Sequence, residues 1–317
     1  MVLAGAALST HVVINRAARH LREDNALYRM TLAFSGGAEI HETHELGELD
    51  EVAQKIAKKG GDKVILCGGD GSYMAGVTAL ARAFGEDRMP AVALAPGGTV
   101  STVARNWGLA GPIETYAKRL LNAVTEGTAT EVRKPTLRVH DDRNGERIGF
   151  IFGAGLVANF FEQYNAAPTQ GYEGAARIVA KIFAGSFVGS SLAKKILTPV
   201  PCTLEIDGAV AEPKAFSLIV ASVVKDMGLH LHVAHRAGEE PDRVHLVASP
   251  LGPLALGPQM PLVMAGRRLR GPGHVDTLAG KLRVTFDEDR AYVLDGDTLK
   301  CRWVDVSAGP QLRLLVP

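Results

Sequence analysis

The chain has 317 residues and is 46% hydrophobic, enough for two domains with sizeable cores. Its 35 basic and 34 acidic side chains leave a net charge of +1, so charge gives no argument for nucleic-acid binding. Three cysteines (Cys67, Cys202, Cys301) are widely spaced and odd in number, with no CxxC pair. That pattern predicts a reducing, cytoplasmic setting rather than a disulfide framework. Met1 to Leu8 is apolar without a basic flank, so a signal peptide is not expected, and no apolar run reaches the length of a spanning helix.

In chain order, His11 to Ile14 reads as a strand ending at Asn15. Glu48 to Lys59 places Leu49, Val52, Ala53, Ile56 and Ala57 on one helical face. A strand over Val64–Cys67 runs into Gly68-Gly69-Asp70-Gly71-Ser72, and a helix is predicted from about Met74 to Phe84. A second strand, Ala91 to Ala95, runs into Pro96-Gly97-Gly98-Thr99, and a helix over Pro112 to Val124 follows. Strands alternating with helices predict a parallel sheet covered on both faces, with ligands at the carboxyl ends of its strands. After Thr130 the pattern becomes short strands with turn residues between them. They are predicted at 136–140, 148–152, 202–206, 216–224, 244–247, 275–278, 282–286, 292–294 and 299–306, with a helical insert near 155–195. This predicts a mainly antiparallel sandwich or barrel. The expected division is 1–130 and 131–307, with the last segment, 308–317, a candidate to return to the first domain.

Two strands that each end in a glycine turn suit a polyphosphate. Bare backbone lets amide N–H groups close on phosphate oxygens, and the following helix presents its positive end. Asp70 is the carboxylate between the turns, where a magnesium ion or a substrate hydroxyl needs one. No GxxxxGK[ST] occurs, so the P-loop solution does not apply. Gly153-Ala154-Gly155 mimics a dinucleotide fingerprint but lacks a clear βαβ setting, and reads as a packing pair. On a strand, His230 and His232 share one face and His235 takes the other, which argues against three convergent zinc ligands.

The two glycine motifs, in this order and spacing, resemble those of the diacylglycerol kinase catalytic-domain family, the bacterial diacylglycerol kinase and sphingosine kinase-like lipid kinases. Gly68 to Ser72 is similar to the family's GGDGT. Pro96 to Thr99, with Ala104-Arg105-Asn106 and Gly108-Leu109, is similar to its second loop. Asn15 stands at the family's first turn, and Leu294-Asp295-Gly296-Asp297 stands where the family has DGE. Departures are Arg16-Ala17-Ala18 after Asn15, Ser72 for threonine, Ser101-Thr102 for Asn-Asp, and Asp297 for glutamate.

The resemblance implies an N-terminal Rossmann-like α/β domain of the NAD kinase/diacylglycerol kinase type, followed by a β-sandwich lipid-substrate domain. It implies ATP and Mg2+ as cofactors, and transfer of the γ-phosphate to a diacylglycerol- or sphingoid-type lipid in the cleft between domains. Nucleotide binding is assigned to Asn15, Arg16, Thr43, Gly68, Gly69, Asp70, Gly71, Ser72, Gly97, Gly98 and Thr99. Catalysis is assigned to Asp295 as base and Asp70 as phosphate organiser, and metal binding to Asp70 and Asp297. For Asp295-Gly296 the bland alternative is an ordinary hairpin turn. The expected partner is a lipid met transiently at the inner membrane face, with a homodimer as an open possibility and no nucleic acid. An NAD kinase-like soluble-substrate enzyme and a non-catalytic nucleotide- or lipid-binding protein are the alternatives.

Overall fold

A computed structural model of the chain describes residues 9–22, 25–98, 101–108, 111–167 and 171–317. The elements in order are β1 (Thr10–Asn15), α1 (Ala26–Phe34), β2 (Glu39–Thr43), α2 (Glu48–Lys59), β3 (Lys63–Gly68), α3 (Asp70–Phe84), β4 (Ala91–Pro96), α4 (Thr102–Asn106), α5 (Ile113–Glu126) and β5 (Thr130–Lys134). They continue with β6 (Leu137–Asp141), β7 (Gly145–Gly149), β8 (Ile151–Gly155), α6 (Leu156–Asn165), α7 (Tyr172–Ser186), α8 (Ser191–Leu197), β9 (Val200–Ile206), β10 (Ala209–Val210), β11 (Ala215–Phe216), β12 (Leu218–Ser222) and β13 (Val244–Ser249). After three short helical turns come β14 (Val275–Ala279), β15 (Lys281–Leu294), β16 (Asp297–Ala308) and β17 (Leu312–Val316). The chain divides into two units, Met1–Lys134 with Gln311–Pro317, and Pro135–Pro310.

The first unit is built on a sheet ordered β2-β1-β3-β4-β17-β5, parallel except for β5. β3 and β4 are buried along nearly their whole length, as strands covered on both faces must be. β17 pairs parallel with β4 at Leu314↔Val92 and antiparallel with β5 over Leu312↔Lys134 to Val316↔Thr130. The last residues of the sequence therefore complete the interior of the first sheet. The helix predicted from Met74 begins four residues earlier, at Asp70. Ser72 makes this possible, because its Oγ accepts the Gly69 N–H at 3.4 Å and so satisfies a donor at the helix start. β2 escaped prediction because it is an edge strand with little buried surface and hence no apolar period.

The second unit is an antiparallel sheet ordered β14-β13-β12-β8-β15-β16-β6-β7, with β9 on β15 and β10 and β11 on β9. Two strands predicted separately, 282–286 and 292–294, are one long strand. The early part of β15 pairs with β9 and its end with β8, and a register shift lies between Thr285 and Arg290. Conversely, the predicted strand 148–152 is split at Phe150 into β7 and β8. The Phe150 and Ile151 N–H groups donate to the Asp295 carboxylate, a side-chain acceptor, at 2.9 Å each. The predicted strand 216–224 is likewise broken, into β11 and β12.

A helical layer packs on this sheet. Ile182, Ala193, Ile196 and Leu197 from α7 and α8 meet Leu218, Val220 and Val247 in one apolar cluster. Burying several such side chains contributes roughly 1.5–3 kcal/mol each before entropy. The segment around His230 is not a strand. Gly228, Leu229 and His230 all take positive φ, which breaks any ladder. His230 and His232 approach Asp226, whereas His235 lies with His245 and Asp276, so the three histidines do not converge, as expected, although a turn and not a strand separates them.

Candidate active site

In the first unit, β1 leads to β2 on one side and the chain then returns to β3 on the other. That reversal opens a crevice at the carboxyl ends of β1 and β3, where ligands of doubly wound sheets bind. Asn15 ends β1, Gly68 ends β3, and Gly97 and Gly98 follow β4, so three consecutive strand ends bring the predicted nucleotide residues together.

The two glycine turns touch each other through backbone. Gly97 and Gly98 N–H both donate to the Gly68 carbonyl, at 2.7 and 3.0 Å. A Cβ on Gly98 would lie 2.6 Å from Gly69 Cα, one on Gly97 2.4 Å from Leu21 Cδ1, and one on Gly68 2.4 Å from Ser72 Cβ. Glycine is thus demanded here by close packing of two loops, in addition to any ligand. Asn15 joins the assembly. Its Nδ2 donates to Ser72 Oγ at 2.7 Å and its Oδ1 accepts the Ala17 N–H at 2.9 Å. Gly71 and Ser72 lie in the first turn of α3, a helix of 15 residues whose N-terminus favours negative charge.

Asp70 is the first residue of α3. Its carboxylate accepts the Thr102 N–H at 2.8 Å and the Val103 N–H at 3.0 Å, and so caps α4 from a distance of 32 residues in sequence. Burial raises its pKa above the usual carboxylate value, against the downward pull of those amides and of Arg105. Between the turns and α4, Ser101 holds φ +52 with its hydroxyl buried and without a hydrogen-bond partner among the described residues. A non-glycine residue in this conformation beside a binding loop stores strain of order 1–3 kcal/mol. Thr99 lies outside the described residues.

Two predicted residues sit at the margin. Thr43 is buried at the end of β2, and its carbonyl accepts the Arg16 N–H at 2.7 Å. The Arg16 guanidinium pairs with Glu42 at 3.0 Å and lies 3.9 Å over the Tyr28 ring, so a phosphate would have to compete for it. Leu21, Glu42, Tyr28 and the amides of Thr102 and Val103 are participants that the sequence reading missed. They carry no local motif, and only the fold brings them to the turns.

In the second unit, Asp295 and Gly296 form the two-residue turn between β15 and β16, with φ +51 and +94. Asp295 is nonetheless buried, 6% exposed, and its carboxylate is fixed by the Phe150 and Ile151 N–H groups. The hairpin turn and the buried carboxylate are the same residue. Asp297 is half-buried nearby, and burial raises its pKa against the attraction of Arg147. Gly153 and Gly155 are packing glycines: a Cβ on Gly153 would lie 2.5 Å from Val157 Cγ1, and one on Gly155 2.5 Å from the Ser217 carbonyl.

Comparison with known proteins places this arrangement. Residues 9–132 match the diacylglycerol kinase catalytic domain. A diacylglycerol kinase from Bacillus anthracis str. Sterne superposes with TM-score 0.62 at 15% identity, over 98% of this chain and 97% of that one. A second Bacillus anthracis str. Sterne protein, titled a candidate diacylglycerol kinase, superposes with TM-score 0.67 at 17% identity, over 98% and 96%. A search of curated proteins finds no sequence match. At such identities the structures establish a shared fold, and the whole chain has the diacylglycerol kinase-like architecture of a mixed, largely parallel α/β unit and an antiparallel unit. Among the described residues no single helix is long and apolar enough to cross a membrane.

Proposed function

We propose that the chain is an ATP-dependent lipid kinase that transfers the γ-phosphate to a hydroxyl of a diacylglycerol- or sphingoid-type lipid. The observation that carries this reading is the backbone contact of Gly68 and Gly69 with Gly97 and Gly98 at the ends of β3 and β4, beside the N-terminus of α3. Amide groups there can close on a polyphosphate without a side chain in the way. Asp70 holds the α4 end of the second loop in register with the first turn. Ser72 and Asn15 fix the first turn to β1.

The donor set suits magnesium carried mainly on the phosphates. Asp70 offers hard carboxylate oxygens at the strand ends, which already accept the Thr102 and Val103 N–H groups and the Thr102 side chain. When bound, the ion neutralises phosphate charge. From the second unit we assign Asp295 the role of base. The lipid hydroxyl oxygen forms a bond to the γ-phosphorus, the bond to the β–γ bridging oxygen breaks, ADP leaves, and the hydroxyl proton passes to the carboxylate. Asp297 supports Asp295 through hydrogen bonding or the metal. Exposed Phe187 and Val188 at the end of α7, near Lys194 and Lys195 of α8, suit transient contact with a lipid surface.

Incubation with labelled ATP and a total lipid extract tests the reading. We expect a labelled phospholipid product that disappears in Asp70→Asn and in Asp295→Asn. Robust NADP formation from NAD with no lipid product would replace it by a soluble-substrate kinase. Calorimetric ATP binding without turnover across a lipid panel would replace it by a non-catalytic binder.

A further inference from the structure

The first unit carries a second constellation at the opposite ends of its strands. His11 lies at the start of β1 and Asn15 at its end, four residues or about 13 Å apart along a strand. In the parallel pairing of β1 with β2, His11 faces Glu39, and His41 is two residues further on the same face. His11 Nδ1 is 3.1 Å from His41 Nε2, His11 Nδ1 is 3.8 Å from Glu39 Oε2, and His41 Nε2 is 3.8 Å from Glu39 Oε1. We propose that His11, Glu39 and His41 form a site for a divalent transition-metal ion, with Zn2+ the best fit, separate from the phosphate-binding turns.

The geometry argues for it in two ways. A tetrahedral ion with bonds of 2.0–2.1 Å separates its ligand atoms by about 3.3–3.4 Å; here the two ring nitrogens stand 3.1 Å apart, and each has a Glu39 oxygen at 3.8 Å, Oε2 for His11 and Oε1 for His41. The two imidazole nitrogens face each other 3.1 Å apart, so an ion bound to both at about 2.0–2.1 Å would sit to one side of the line that joins them. The site also has the asymmetry a metal needs. The His11 and His41 side chains are 3% and 10% exposed, whereas Glu39 is 41% exposed, which leaves an entry path and a solvent-facing fourth position.

The Lys59 Nζ donates to both Glu39 oxygens, at 2.7 and 2.9 Å. It supplies the positive charge the carboxylate needs when no ion is present, and at 58% exposure it can withdraw into solvent. An ion here would clamp the edge strand β2 to β1.

Full-length protein, stripped with a chelator and then dialysed against micromolar Zn2+, should retain one equivalent by elemental analysis. Co2+ in its place should give the visible absorption of a tetrahedral site. His41→Gln, at the partly exposed ligand, should weaken binding at least ten- to a hundredfold. Lys59→Met, which leaves all three ligands in place, should tighten binding several-fold, an effect a purely structural ion pair would not produce. Failure of the wild type to retain Zn2+, or unchanged retention in His41→Gln with its helical circular dichroism intact, would overturn the proposal. The second result would place the ion at another cluster, such as His235, His245 and Asp276.

Discussion

Asp70 is the residue at which sequence and structure inform each other most. Read locally, it is an isolated carboxylate between glycines. In the fold, both of its oxygens accept backbone N–H groups of α4. Asp70→Asn would set an amide NH2 against one of these donors and leave that N–H unsatisfied, at a cost of about 1–3 kcal/mol. We therefore expect two readouts to move together: phosphoryl transfer is lost, and thermal unfolding shifts down.

A second residue-scale prediction concerns Asp141, which accepts from the buried Tyr292 hydroxyl, from the Asn144 N–H and side chain, and from the Arg143 N–H. Burial pushes its pKa up, yet these bonds prevail and hold it below the usual value of 3.8. A depressed folded-state pKa contributes stability that is present above about pH 3.8 and is lost as pH falls through the folded value. Tyr292→Phe should thus destabilise by about 1–3 kcal/mol near neutral pH. The gap to wild type in chemical denaturation should narrow as the pH drops below about 4. A gap independent of pH would assign the loss to packing alone.

At the scale of elements, the two glycine turns behave as one object. Each is recognisable as a strand followed by glycines, and that much is local. Their mutual contact is not, since it depends on β3 and β4 being neighbours in register from Lys63↔Ala91 to Gly68↔Pro96. Gly98→Ala would place a methyl 2.6 Å from Gly69 Cα, where backbone must move. Overpacking of this kind costs about 1–3 kcal/mol. The sharper consequence is separation of the turns, so ATP binding measured by calorimetry should be lost while the far-ultraviolet circular dichroism stays near wild type. A change at Gly108, where an added Cβ meets nothing within 4 Å, is the comparison, although its φ of +112 still favours glycine. Periodicity placed α2 over Glu48–Lys59 as found, because one apolar stripe specifies a helix locally. It failed at β2 and at β7–β8. In one case an edge strand has no buried period, and in the other a distant carboxylate interrupts the ladder.

For the molecule as a whole, the decisive element is the last strand. β17 lies between β4 and β5 inside the first sheet, so the first unit is unfinished until this strand is in place. Truncation after Pro310 would strip partners from both β4 and β5, and would remove the buried side chains of Leu312, Leu314 and Leu315 from the core of the first unit. The first unit should then lose its cooperative transition in calorimetry and become protease-sensitive, whereas the second unit, Pro135–Pro310, retains all of its own strands and should keep its transition.

The amino-acid sequence alone determined the alternation of strands and helices in the first unit, the change to short strands after Thr130, and the two glycine turns. Each rests on hydrogen bonding and side-chain period within a few consecutive residues. Tertiary structure decided the return of β17, the joining of two predicted strands into β15, the amide partners of Asp70, the burial of Asp295 in a turn, and the meeting of His11 with His41. Those features pair residues 30 to more than 200 positions apart. Nothing in a local window fixes such pairs, because loop-closure cost rises only slowly with separation and leaves many partners open until the sheet registers choose among them.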